Sequence, residues 1–110
     1  MSNRHRAEKA IEIGGRRLVL RLSLRALAEM ESVFDVEGIE ALGVRLARGG
    51  LRTEHVIHIV GALARGSGDA IPDSEIALLI EAQDLPGIMD AVTCVFASGF
   101  GGGKEPANPR

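Results

Sequence analysis

Ile11 and Ile13 stand before Gly14-Gly15, and Leu18, Leu20 and Leu22 stand after it, alternating with Arg17, Val19 and Arg21. A period of two on both sides of a glycine pair predicts a β-hairpin over residues 8–22, each strand half-buried. Two glycines supply the positive φ angles of a tight turn at little steric cost. Two registers keep the apolar faces together. A two-residue loop pairs Ile11 with Leu18, Glu12 with Arg17 and Glu8 with Arg21. A four-residue loop pairs Ile13 with Leu18 and Ile11 with Leu20. A slip by one residue would turn an apolar face to water. A lone hairpin is marginal, so the leucine face must lie on something.

The rest of the sequence supplies that support as helices. Ser23 is placed to cap a first helix, 24–34, with Leu24, Leu27, Ala28 and Phe34 along one side. A second helix, 39–48, carries Ile39, Leu42 and Leu46 and ends at Gly49-Gly50. A third, 54–65, is capped by Thr53 and carries Val56, Ile57, Val60, Leu63 and Ala64. Asp73 or Ser74 caps a fourth, 74–82, burying Ile76, Leu79 and Ile80. Asp84 and Pro86 open a fifth, 86–98, with Ile88, Met89, Val92, Val95 and Phe96 inward. Residues 99–110, GFGGGKEPANPR after Ser98, lack apolar periodicity and read as a flexible tail. The expected fold is α+β and mainly helical: one globular domain over 1–98, its N-terminal β-hairpin packed on a bundle of four to five helices. Three Phe and no Trp or Tyr make the core aliphatic and leave no platform for stacking bases.

The net charge of −2 conceals an asymmetry. Residues 1–25 hold seven basic and two acidic side chains; the remainder holds six and thirteen. Such a basic end and acidic body could pair within one fold or between copies. One cysteine, Cys94, excludes an internal disulfide and suits a reducing compartment. The start, MSNRHRAEKA, has no apolar core of a secretory signal, and no run reaches the roughly 20 apolar residues of a membrane span. A cytoplasmic protein is expected.

Candidate chemistry is thin. Gly99–Lys104 imitates a phosphate loop, but Ser98 stands where its first glycine belongs and Glu105 where Ser or Thr would hold magnesium. His55 and His58 share one side of a helix, yet no third ligand lies at a useful spacing, so no metal or other cofactor is expected. Cys94, between Val92 and Val95, reads as a small buried apolar residue without a neighbouring base. No two carboxylates stand apart as an acid–base pair. An enzyme is not expected. Helices two and three, joined at Gly49-Gly50, have a helix-turn-helix spacing, but the third offers Glu54, His55 and His58, with only Arg65 at its end. A small nucleic-acid-binding or regulatory domain is therefore the alternative reading.

The succession IEIGGRRLVLRLSLRALAEMES, GIEALGVRLARGG, LRTEHVIHIVGALARGSG and IPDSEIALLI resembles the gene transfer agent family of phage-derived tail proteins, over about residues 3–98. Members of that family are described as tail tube proteins or as tail assembly chaperones, encoded among head and tail genes of prophages and gene transfer agents. The resemblance implies a non-enzymatic protein acting through protein–protein contacts with tube or tape-measure type partners, in the cytoplasm or in a phage-like particle. Tube subunits are usually larger and β-rich, with rings closed by strand pairing, so two strands and five helices favour the chaperone or accessory role. In that role the hairpin edge, or a groove between helices, would take an extended segment of a tail protein. Arg16, Arg17 and Arg21 would steer an acidic partner; paired with Glu8 and Glu12, they would be only a solvated face.

Overall fold

In the computed structural model, which describes residues 8–98, the chain forms β1 (Glu8–Ile13), β2 (Arg16–Arg21), α1 (Leu24–Phe34), α2 (Ile39–Arg48), α3 (Thr53–Gly66), α4 (Asp73–Leu79) and α5 (Leu85–Phe96). A 3₁₀ turn, Ala82–Asp84, leads into α5. The expected tail over 99–110 lies outside the described residues. The fold is the expected one, an N-terminal antiparallel hairpin on five helices.

The hairpin takes the two-residue register, with Ile11 opposite Leu18, Glu12 opposite Arg17 and Glu8 opposite Arg21. Gly14 and Gly15 both have positive φ, +56° and +76°, which matches the right-handed twist of the strands. The inner face sets Ile13, Leu18 and Leu20 into the core. It rests on α3 through β2 and on α5 through β1.

Helix α3 is the centre of the molecule. It buries Val56, Ile59, Val60, Gly61, Ala62, Leu63 and Ala64, because α1, α4 and β2 all pack on it. Small residues permit that crowding. A Cβ on Gly66 would stand 2.6 Å from the Arg21 carbonyl oxygen and 2.8 Å from Ser23 Oγ. Each fully buried Leu, Ile or Val contributes about 1.5–3 kcal/mol relative to exposure. The apolar stripes therefore dominate the stability of this aliphatic core.

Helix starts follow local chemistry with some corrections. Ser23 caps α1: the Ala26 N–H donates to Ser23 Oγ at 3.0 Å. Thr53 is the first residue of α3 rather than its cap; the Arg52 N–H just before it donates to His55 Nδ1 at 3.0 Å. Pro72, not Asp73 or Ser74, precedes α4, and α4 ends at Leu79 with Ile80 extended.

Four burial expectations are also corrected. In α4 only Ile76 is buried, while Leu79 and Ile80 are half-buried. In α1 the inward residues are Ala26, Leu27 and Met30, while Leu24 is 81% exposed and Ala28 is exposed. In α2 only Leu42 is buried, and Ile39 is exposed. Cys94 is exposed. The buried stripe of α5 is Ile88, Ala91, Val92, Val95 and Phe96. At about 100° per residue, Cys94 falls about 120° around the helix from Ile88, outside the buried stripe.

Candidate interaction surface

The hairpin register separates the three arginines. Side chains alternate across a strand, so Arg16 shares the inner side with Leu18 and Leu20, whereas Arg17 and Arg21 point outward. Arg16 reaches past the turn to the loop before α4 and to α4 itself. It donates from Nη2 to Asp69 at 3.0 and 3.1 Å, and from Nη1 to Glu75 at 2.9 Å. Its charge is neutralised within the fold. Arg17 and Arg21 are exposed and have no ion pair among the described residues. They lie directly opposite Glu12 and Glu8 on β1. The outer face of the sheet thus carries a basic column on β2 beside an acidic column on β1.

A second polar cluster is half-buried between helices. Arg65, near the end of α3, donates to Glu29 of α1 from Nη2 at 2.8 Å and from Nε at 3.3 Å. It also donates from Nη1 to Asp73 at 3.0 Å and to the Ile71 carbonyl at 2.9 Å. The hydrogen bond to Glu29 is the chief reason that the Arg65 guanidinium is held above its ordinary pKa; burial opposes this and Asp73 reinforces it. Asp73 also bonds His58 Nδ1. Gly61 makes room: a Cβ there would fall 2.0 Å from Asp73 Oδ1. This cluster joins α1, α3 and α4 and is structural. No local spacing announced it, since Glu29 and Arg65 are 36 residues apart.

The histidines separate as well. His55 packs against Phe34 with ring centroids 4.9 Å apart, and Arg45 lies 5.2 Å over the same Phe34 ring. His58 faces Asp73. Among the described residues no group of three or more His, Cys, Asp or Glu is arranged to hold a metal ion. No helix there is long and apolar enough to cross a membrane. A DNA-reading helix presents Arg, Lys, Asn or Gln to the groove; the exposed first turn of α3 carries Thr53 and Glu54, and Arg65 near its end is tied to two carboxylates.

A shallow groove of about 310 Å³ runs between β1 and the start of α5, lined by Ile11, Glu12, Ile13, Gln83, Asp84, Gly87 and Ile88. Comparison with protein families gives one decisive result. A family model described as "Phage tail tube protein, GTA-gp10" matches residues 6–102. The chain belongs to this family. No curated protein and no solved structure matches it. The GTA-gp10 match spans the hairpin and all five helices, so the hairpin face and the groove beside it are features of a phage tail-related protein.

Proposed function

We propose that this member of the GTA-gp10 family is a tail assembly chaperone or accessory protein of a prophage or gene transfer agent, not a subunit of the tube wall. It acts by binding a tube or tape-measure type component in the bacterial cytoplasm until that component polymerises, and it performs no chemistry. One observation carries this reading: the described residues hold a single two-stranded sheet against five helices. Tube subunits whose rings close by strand pairing are usually larger and β-rich, unlike this mainly helical chain. The hairpin supplies the contact surface. Arg17 and Arg21, exposed and unpaired among the described residues, steer an acidic surface of the partner toward it. Arg16 serves that purpose poorly, because Asp69 and Glu75 already hold it.

Co-expression with the tail proteins encoded beside it tests the reading. The expected result is a soluble complex with one tail component, weakened by salt and by Arg17→Glu/Arg21→Glu. Rings or tubes formed by the purified chain alone, seen by electron microscopy, would replace chaperone by tube subunit. Absence of association with every tail component would remove the reading altogether.

A further inference from the structure

The two edges of the hairpin are not equivalent. In a two-residue hairpin the residues flanking the turn exchange both ladder bonds, and bonded pairs then alternate with unbonded ones. Starting from Ile13 and Arg16, the bonded pairs are Ile13–Arg16, Ile11–Leu18 and Lys9–Leu20. The N–H and C=O groups of Glu8, Ala10 and Glu12 therefore point away from β2, and those of Arg17, Val19 and Arg21 point away from β1. At the Arg21 end of the β2 edge α3 comes close, with the Arg21 carbonyl oxygen 2.6 Å from where a Gly66 Cβ would stand. Among the described residues the β1 edge is open: Glu8, Ala10 and Glu12 are exposed, and their outward backbone groups have no hydrogen bond there.

We infer that the β1 edge is a strand-addition site for an extended peptide segment whose side chains alternate between apolar and basic. The apolar half follows from the groove. An added strand continues the sheet, and its inward side chains meet half-buried Ile11 and exposed Gly87 at the groove, whose floor is the core pair Ile13 and Ile88. The basic half follows from charge. Outward side chains of the added strand sit beside Glu8 and Glu12 at the spacing of neighbouring strands, about 4.8 Å, whereas Arg17 and Arg21 stand one strand further, about 10 Å away. That longer distance exceeds the Debye length of about 8 Å at physiological salt, so the nearer acidic column decides. Asp84 on the groove rim adds to it. The same carboxylates disfavour a second copy as occupant: pairing β1 with β1 about Ala10 would set Glu8 of one copy opposite Glu12 of the other. Assignment of the segment to a tail component rests on the chaperone reading; the strand addition does not.

A synthetic peptide of about ten residues alternating Val and Lys, with a Val/Glu peptide as its counterpart, tests the site. Binding of the Val/Lys peptide should slow amide exchange at Glu8, Ala10 and Glu12. Ala10→Pro removes an outward N–H without touching the β1–β2 ladder and should weaken binding about tenfold or more. Glu8→Lys/Glu12→Lys, with folding verified by circular dichroism because the lysines stand opposite Arg21 and Arg17, should reverse the preference to Val/Glu. Equal affinity of both peptides, unchanged binding in both variants, or protection elsewhere would overturn the inference. So would self-association of the wild type that Ala10→Pro abolishes, which would make a second copy the occupant. A tail component that co-purifies equally with wild type and both variants would sink the edge site and leave the chaperone reading standing. Peptide binding that follows the edge, with no tail component captured, would do the reverse.

Discussion

The guanidinium of Arg65 on α3 is joined to the Glu29 carboxylate on α1 by hydrogen bonds of 2.8 and 3.3 Å, and the same guanidinium reaches Asp73 on α4 at 3.0 Å. One side chain thus ties three helices. Its side chain is 18% exposed, and those of Glu29 and Asp73 are 29% and 26% exposed, so solvent screens the cluster only in part. Arg65→Met should cost about 2 kcal/mol, because two half-buried carboxylates lose their shared cation. On a domain of this size that lowers the melting temperature on the order of 10 °C. Arg65→Lys keeps the charge but not the fork and should recover only part of the loss. The raised pKa of Arg65 means that its contribution is present at neutral pH and is lost as pH rises through a strongly alkaline value. Thermal melts of the two variants at neutral pH check this.

The parts of the fold that were legible in the sequence are those set by local spacing. The hairpin followed from a period of two around Gly14-Gly15, and the Ser23 cap from one hydroxyl three residues before a helical N–H. Parity could also have separated Arg16 from Arg17 and Arg21, since Arg16 shares the phase of Leu18 and Leu20. The Arg65 cluster was not legible, because its partners come from three helices and meet only when α1 and α4 pack on α3. The exposure of Cys94 was hidden for another reason. Apolar residues surround much of α5, so its sequence does not fix which stripe faces inward until β1 and α3 take their places against it.

Ser23 links the hairpin to α1, and its hydroxyl satisfies a backbone N–H that has no partner within the helix. Ser23→Ala should destabilise the protein by about 1 kcal/mol, and Ser23→Asn by less, since Asn also caps. Denaturant midpoints at unchanged slope would establish that stability, not compactness, has changed.

Cys94 lies on the solvent side of α5. Its thiol should react fully with a bulky disulfide reagent in native buffer, at a rate that denaturant raises only about severalfold. Protection of the thiol until global unfolding would contradict the phase of α5. Cys94→Ser should leave the unfolding free energy within about 0.5 kcal/mol of wild type, as expected for a surface position.

Two helical glycines give opposite outcomes for the same substitution. Ala is favoured over Gly in a helix interior by about 0.8–1.0 kcal/mol. At Gly43 on α2 an added Cβ meets nothing within 4 Å, so Gly43→Ala should realise that gain and raise the melting temperature. At Gly61 on α3 the Cβ would fall 2.0 Å from Asp73 Oδ1 and 3.1 Å from its Cγ. The carboxylate must then leave Arg65 and His58, or α4 must retreat from α3. Either response outweighs the propensity term, and Gly61→Ala should destabilise by about 1–3 kcal/mol. Combining it with Asp73→Ala removes the obstructing atoms. The double variant should therefore lose less than the sum of the two single losses, and a double-mutant cycle that is strictly additive would show that the Gly61–Asp73 approach does not set the packing of α4.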